Sequence, residues 1–234
     1  MIPLSRSLFA VLAFLGLVFS AHSASPAAPA PPAPAYSRTI YLIRHGAYDM
    51  TPGDDSMGNG LTPLGLARAR LVGARLRGMP VEFTSLTSST LTRTRQTAQE
   101  IGKLFPQLKQ QTTPLLAETL PRFRNMDSSQ TPSELDANEA QLNQAFATYF
   151  VPAKERDEND IIVCHGNVVR YLVMKALRVD TQAWTSLNVA HCSLTIIQVR
   201  PDGSCKVFTV GDRGHIPPNL LSGSARTNPE LVAP

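Results

Sequence analysis

The sequence predicts an α/β fold: a three-layer α/β/α sandwich with a mostly parallel central sheet and a C-terminal β-hairpin. Short β-branched runs alternate with longer runs of helical periodicity, which is the pattern of a sheet covered by helices. Close to the end of the chain, the strand-like runs SLTIIQV and CKVFTV flank the turn sequence RPDGS. With 234 residues, 43% of them apolar and 17% charged, the chain can bury one sizeable core.

The predicted fold begins after two N-terminal segments. Arg6 precedes the apolar run LFAVLAFLGLVFSA, and small residues follow it, so residues 1–23 are expected to be a secretory signal peptide. Residues 24–37 are rich in Ala and Pro and predict a semi-extended linker. The folded domain is expected at 38–218, followed by a C-terminal tail at 219–234.

This N-terminal segment predicts a periplasmic or secreted protein, cleaved after Ser23 or Ala24. The alternative is membrane proximity through an uncleaved apolar anchor. The apolar run is shorter than the ~20 residues that a spanning helix needs, which favours cleavage.

The first half of the domain contains two predicted strand and helix pairs. TIYLIR predicts the first strand, and the next helix is expected to start at Thr62, with Pro63 in the first turn where proline is tolerated. VEFTSLT predicts the second strand. Ser89 or Thr90 is expected to cap the helix LTRTRQTAQEIGKLF that follows it.

The second half contains a helix, a buried strand and a further helix before the hairpin. TPSE, starting at Thr131, has the pattern of a capping box and predicts a helix to about Phe150. DIIVC predicts a strand as apolar as the first, and Asn167 is expected to cap the helix VVRYLVMKALR.

Three cysteines follow the N-terminal segments. Cys164 ends an apolar run and is expected to be a buried thiol. A two-residue turn at 202–203 would place Cys205 opposite Arg200 and away from Cys192. We therefore expect no disulfide between Cys192 and Cys205.

The net charge of +4 is mild for this length and gives no reason to expect a nucleic-acid partner. The basic segment ARARLVGARLRG has no aromatic residues interleaved for base stacking. Its arginines are expected to form the solvated face of a helix.

Two histidines stand in matched positions. IYLIRHG and DIIVCHG are both buried-strand runs that end in His-Gly, at His45 and His165. In open, largely parallel sheets, ligands bind at the carboxyl ends of the strands, so neighbouring strands would deliver both imidazoles to one crevice. Arg44 would repel a divalent cation, and Arg93, one turn into a helix, offers donors suited to phosphate oxygens. These positions favour an anion site and no metal.

Four ordered motifs, LIRHG, LTPLGLARA, SSTLTRTRQTA and CHGNVVRYL, resemble the histidine phosphatase superfamily, the phosphoglycerate-mutase-like proteins, over about 38–218. Within it, HGNVVRYLV, RPDG and GDRGHIPP are most similar to the mitochondrial mutase-like serine/threonine protein phosphatases and their bacterial relatives. The resemblance implies a metal-independent phosphatase that uses no cofactor.

The resemblance also implies a role for each site residue. His45 would be the nucleophile that accepts the phosphoryl group, Arg44 and Arg93 would hold the phosphate, and His165 would stabilise the transferring charge. Glu118 falls at the position of the acid-base carboxylate, for which Asp49, Asp54 and Asp55 are alternatives.

Three further residues have open roles. Tyr48 stands in a loop without the asparagine that many family members carry, and it could replace a phosphate contact. His191 could bind phosphate or line the pocket. His215 could border the cleft, although a structural or an exposed role is favoured.

The expected substrate is a phosphorylated small molecule, an envelope sugar phosphate or a phosphoprotein. Two alternatives remain: a non-catalytic anion-binding or scaffold module, and, with less support, a phosphoglycerate mutase. No long segment resembling the substrate-retaining insertion of the mutases follows Glu118. The oligomeric state is not predicted.

Overall fold

The computed structural model describes residues 36–49, 59–127 and 129–221. The expected signal peptide, nearly all of the linker and most of the C-terminal tail lie outside the described residues. The described residues belong to one compact unit, Ala33–Pro234. Within these ranges, none of the helices has the length and apolar character needed to cross a membrane.

A six-stranded sheet forms the centre of this unit. Its strands are β1 (Arg38–Arg44), β2 (Ser85–Ser89), β3 (Gln110–Thr113), β4 (Glu158–Cys164), β5 (Leu194–Val199) and β6 (Cys205–Asp212). Their order across the sheet is β3-β2-β4-β1-β5-β6. The first four in this order are parallel, β5 runs antiparallel to β1, and β6 completes the C-terminal hairpin.

Among the described residues, four α-helices cover the sheet: α1 (Pro63–Arg77), α2 (Thr92–Gly102), α3 (Pro132–Tyr149) and α4 (Gly166–Leu177). Alternate residues of β1 point to opposite faces, as the period of a strand requires. Ile40 and Leu42 pack in a core with α3 and α4, whereas Tyr41 and Ile43 pack in a second core with α1 and α2. The predicted three-layer α/β/α sandwich is confirmed.

The helix caps agree with the sequence at two positions and differ at two. Thr62 caps α1, and Thr131 forms the complete capping box of α3. The predicted cap at Ser89 or Thr90 is wrong, because α2 has Leu91 at its N-cap without a side-chain hydrogen bond. Asn167 does not cap α4, since His165 holds that position and the Asn167 amide donates to the Thr119 carbonyl instead.

One predicted strand differs from the structure, and one strand was not predicted. The run VEFTSLT, 81–87, predicts the second strand, which lies at Ser85–Ser89, because pairing with β4 continues to Ser88 and pairing with β3 continues to Ser89. The short edge strand β3 has the sequence QQTT. Because it carries no apolar alternation, no pattern in the sequence predicts it.

The final hairpin has a three-residue loop rather than the predicted two-residue turn. The Arg200 N–H donates to the Ser204 carbonyl, and Gly203 adopts φ 77°, the left-handed conformation that a three-residue loop needs. Cys205 therefore pairs with Val199 and not with Arg200. All three cysteines are free, as expected.

The basic face of α1 is less solvated than predicted. Arg68 is almost completely buried, and its Nε donates to the Leu220 carbonyl at 2.6 Å. Arg75 forms an ion pair with Asp212. These contacts hold the segment after β6 against α1, so part of the positive charge of this helix is structural.

Candidate active site

The carboxyl edge of the sheet collects polar side chains from four strands. Arg44 ends β1 and lies opposite Cys164 at the end of β4, and the His45 N–H donates to the Cys164 carbonyl at 2.9 Å. His165 follows β4 directly, and Arg93 lies in α2 just after β2. A short 3₁₀ turn, Pro114–Leu116, links β3 to the segment that carries Glu118. The predicted residues are therefore brought together by the parallel strand order.

His45 is held in one tautomer by its hydrogen bonds. Its ring is 1% exposed, and Nδ1 lies 2.8 Å from the Gly46 carbonyl, to which only a protonated nitrogen can donate. The opposite nitrogen, Nε2, accepts from Arg93 Nε at 3.2 Å. The unprotonated Nε2 lone pair therefore faces the guanidinium that would hold an anion.

Arg93 joins the two histidines. While its Nε reaches His45, its Nη2 lies 3.2 Å from Nδ1 of His165. His165 is completely buried, and its Nε2 lies 2.9 Å from the Ser89 hydroxyl. The two imidazole centroids are 5.1 Å apart. This geometry forms a small basic pocket whose walls are fixed by neighbouring strands.

Burial and positive neighbours keep the two imidazoles neutral in this pocket. Burial, reinforced by His165 and Arg44, holds the pKa of His45 well below its usual value. Burial lowers the pKa of His165 to about 2, with Arg93 and Arg44 adding to the effect. A dianionic ligand would oppose this shift, because an opposite charge nearby favours the protonated form.

Glu118 stands at the mouth of the pocket. Its Oε2 lies 3.9 Å from His165 Nδ1, and its side chain is 32% exposed. Partial desolvation raises the pKa of Glu118, while Arg44, Arg93 and Arg170 oppose the rise. The carboxyl can therefore hold a proton above the usual range while it remains in contact with solvent.

A cavity of about 200 Å³ adjoins the pocket on the Arg44 side. Its walls include Arg44, Glu118, Arg170 and Asn188, and Arg44 is oriented by a 2.9 Å bond from Nη1 to the Val189 carbonyl. Arg170 was not among the predicted site residues. Its signal was available, because it lies one turn into the helix that His165-Gly166 opens.

Tyr48 and His191 are the two further rings that lie beside His45. The Tyr48 ring lies 5.3 Å from His45, and the Arg93 guanidinium lies 4.7 Å from the Tyr48 centroid. The His191 ring is 5.3 Å from His45, and neither of its buried ring nitrogens has a hydrogen-bond partner among the described residues. Burial beside Arg44 lowers the pKa of His191 to about 3. Both rings therefore face the pocket.

His215 and Asp49 have contacts other than those between Arg93 and the two histidines. His215 Nε2 bonds to the Cys192 carbonyl at 2.9 Å, and its Nδ1 lies near Arg75, which places this ring in the contact between α1 and the segment after β6. Asp49 lies at the start of the loop after Tyr48, where its N–H donates to the Gly60 carbonyl. Asp54 and Asp55 lie outside the described residues.

One group in the pocket has the donor types of a metal site. Ligand atoms of His45, Glu118 and His165 lie within 4.8 Å of one another. Arg93, however, contacts both His45 Nε2 and His165 Nδ1 and places a fixed positive charge where a cation would bind. The residues present fit an anion better than a divalent metal.

Comparison with known proteins assigns the family. The model of the histidine phosphatase superfamily (branch 1) matches residues 40–212. The serine/threonine-protein phosphatase Pgam5, mitochondrial, of Caenorhabditis elegans is 36% identical over 193 residues, which cover 80% of this chain and 66% of the relative. The PGAM5 protein of Homo sapiens is 34% identical over 194 residues, 80% of this chain and 67% of the relative. The chain spans about two thirds of the length of these relatives.

The solved structures agree with this assignment. Phosphoglycerate mutase from Plasmodium falciparum matches with a TM-score of 0.56 and 26% identity, covering 78% of this chain and 95% of the mutase. The predicted mutase-like fold is confirmed, and the predicted enzyme class agrees with relatives named as phosphatases.

The predicted periplasmic or secreted location is wrong, because the relatives that this chain matches are named mitochondrial proteins. The apolar run after Arg6 lies outside the described residues. With its motifs, fold and relatives in agreement, the chain belongs to the histidine phosphatase superfamily.

Proposed function

We propose that this histidine phosphatase hydrolyses phosphate monoesters through a phosphohistidine formed at His45 Nε2, without a metal or another cofactor. The observation that carries the proposal is the tautomer of His45. Because Nδ1 donates to the Gly46 carbonyl, Nε2 is unprotonated and its lone pair faces the Arg93 guanidinium, which would hold the phosphate. A neutral imidazole can attack phosphorus without first losing a proton.

The first step transfers the phosphoryl group to the enzyme. His45 Nε2 forms the bond to phosphorus as the ester P–O bond breaks, and Glu118 gives its proton to the leaving oxygen. Arg44, Arg93 and His165 hold the non-bridging oxygens. Phosphoryl transfer requires mainly positioning and charge stabilisation, which these groups supply from elements that the sheet fixes.

The second step returns the enzyme to its starting state. Glu118, now ionised, takes a proton from water, and the resulting hydroxide oxygen attacks phosphorus as the P–Nε2 bond breaks. Phosphate leaves, and Glu118 is again protonated. The partial exposure of Glu118 suits this step, since the same carboxyl must meet both the leaving group and water.

The substrate class that we propose is a phosphorylated protein. Support comes from the relatives, which are named serine/threonine-protein phosphatases and are 31–36% identical to this chain. An envelope sugar phosphate is withdrawn together with the periplasmic location. We retain 38–218 as the proposed extent of the catalytic domain.

Phosphate-release assays on the full chain test this proposal. Phosphoserine and phosphothreonine peptides should be hydrolysed, with turnover that survives EDTA and is inhibited by vanadate. Conversion of 3-phosphoglycerate to its 2-isomer at a higher rate would favour the mutase. Binding of the peptides without any phosphate release would favour the non-catalytic module.

A further inference from the structure

The cavity beside the phosphate pocket has features that hydrolysis of a simple phosphate ester does not require. Here the term Arg170 cavity refers to the space of about 200 Å³ lined by Arg44, Glu118, Arg170 and Asn188, among others. It shares Arg44 and Glu118 with the phosphate pocket. Because Glu118 would protonate the leaving oxygen, a group in this cavity would belong to the leaving-group side of the substrate.

Arg170 is held rigidly at the wall of this cavity. Its Nε donates to the Gly166 carbonyl at 3.1 Å, and its Nη2 donates to Asn167 Oδ1 at 2.5 Å. The guanidinium also stacks on the Trp184 ring, with 4.4 Å between Cζ and the centroid. A fixed guanidinium loses little conformational freedom when it binds a planar anion, which favours recognition.

The charge of Arg170 is not neutralised by a close carboxylate. No salt bridge to this residue occurs within the described parts of the chain, and Glu118 acts on it only at longer range. Arg44 lines the same cavity. The cavity therefore contains two guanidinium groups, those of Arg44 and Arg170, and one carboxyl group, that of Glu118. Because Glu118 must be protonated in the first step, the cavity then has an excess of positive charge.

Two further residues shape the space for a polar ligand. Asn188 lines the cavity, and its amide can donate to an oxygen atom. Gly166 lies against Arg44, and a Cβ at this position would lie 3.3 Å from Arg44 Nε. Because Gly166 has no side chain, the Arg44 guanidinium can lie close against the start of α4.

We infer that the Arg170 cavity is a subsite for a second anionic group of the substrate, a carboxylate or a further phosphate, carried on the leaving-group side next to the scissile phosphate. This inference rests on the proposed function and deepens it. For a phosphopeptide, the group would be an acidic side chain adjacent to the phosphorylated residue.

The test compares matched phosphoserine peptides whose neighbouring residues are aspartate, alanine or lysine. The measured quantity is the ratio of kcat/KM for the aspartate peptide to that for the lysine peptide, which cancels any uniform loss of activity. Wild-type protein should favour the aspartate peptide by roughly tenfold, the scale of one partly exposed charge-assisted hydrogen bond. Free phosphoserine and β-glycerophosphate form a second pair that reports a small-molecule source of the carboxylate.

Arg170→Gln should bring this ratio close to one, and Arg170→Lys should restore part of it. Asn188→Ala, which leaves the Trp184 stack untouched, should lower the ratio by a smaller factor. Lys206→Ala removes a positive charge from the exposed surface of β6 and serves as the matched control, with an unchanged ratio. Thermal unfolding of each variant reports whether the fold is retained.

Two outcomes would overturn the subsite: no preference for the aspartate peptide in the wild type, or an equal preference in the wild type and Arg170→Gln. Equilibrium binding of the same peptides to His45→Ala separates this failure from failure of the proposed function. A charge preference in binding without any wild-type turnover would support the subsite and contradict the phosphatase. Turnover without a charge preference would support the phosphatase and contradict the subsite.

Discussion

The ends of β1 and β4 carry the same dipeptide at the same edge of the sheet, yet they present two different histidines. His45 donates from Nδ1 to its own neighbouring carbonyl and leaves Nε2 as an acceptor. His165 instead lies between the Ser89 hydroxyl and Arg93, with one ring nitrogen toward each. Two buried strands can therefore deliver identical residues whose rings are turned differently: the nitrogen that faces Arg93 is Nε2 in His45 and Nδ1 in His165.

The largest expected effect separates these two histidines. His45→Ala should lower turnover of a phosphate ester by on the order of 10⁴-fold or more, the scale of removing a covalent nucleophile. His165→Ala should cost about 10²- to 10³-fold, as for one charge-stabilising donor. Steady-state kinetics with one ester measures both. Equal losses would contradict the assignment of different roles to the two strand ends.

Arg93 joins the two histidines, so its removal should affect both. Arg93→Ala should lower kcat/KM by about two to three orders of magnitude, because its charge would hold phosphate oxygens throughout the reaction. Arg95→Ala is the control from the same helix, since Arg95 bonds to Thr92 rather than to either imidazole. A loss for Arg95→Ala as large as for Arg93→Ala would contradict the phosphate-binding assignment.

Glu118 should matter most where the leaving oxygen needs a proton. Glu118→Gln should slow hydrolysis of an alkyl phosphate by about 10²-fold and slow hydrolysis of p-nitrophenyl phosphate much less. The ratio of the two rates, measured in wild type and variant, isolates protonation of the leaving group from phosphate binding. Equal slowing of both esters would remove Glu118 from the acid role.

The pH profile tests the same carboxyl without a substitution. Desolvation raises the pKa of Glu118, and the acid must be protonated in the first step. The kcat/KM for an alkyl phosphate should therefore fall as pH rises through this raised pKa, above the usual glutamate value of about 4.3. The Glu118→Gln protein should lack this fall. A wild-type fall at or below the usual glutamate value would contradict the assignment.

Among these substitutions, Ser89→Ala should have the smallest effect on turnover. It tests a hydrogen bond that His165 makes and His45 does not. Ser89→Ala removes the hydroxyl beside His165 Nε2 and should reduce turnover by about tenfold, the scale of one buried hydrogen bond. Ser88→Ala is the matched control, because the hydroxyl of this adjacent buried serine bonds to the Ser89 carbonyl and to Gln110. Similar losses in both variants would indicate a general effect on β2.

The sequence was sufficient wherever a local signal coincided with the parallel strand order. The His-Gly ends of β1 and β4 could be placed together because buried strands align at their carboxyl ends. The start of α2 could not be predicted, because the Ser89 hydroxyl bonds to His165, 76 positions away. A capping rule cannot detect such a tertiary partner.

Arg170 and Arg68 show the same limit for charged residues. Arg68 lies in a helix whose arginines were expected to form a solvated face, and Arg170 is the single arginine of α4, where its place after His165 does not reveal what it contacts. The position of each side chain depends on a residue far away in the sequence. Trp184 stacks on Arg170, and the Leu220 carbonyl accepts a hydrogen bond from Arg68. Such contacts arise only after the layers of the sandwich pack.

The most direct test of the central claim is the identity of the phosphorylated atom. The protein is mixed briefly with a phosphorus-labelled ester, denatured without acid, digested and mapped. We predict label on the peptide that contains His45, stable to alkali and lost in acid, with attachment at Nε2 by nuclear magnetic resonance. His45→Ala should carry none. Label on His165, on a cysteine or on a serine, or undiminished label in His45→Ala, would contradict the account.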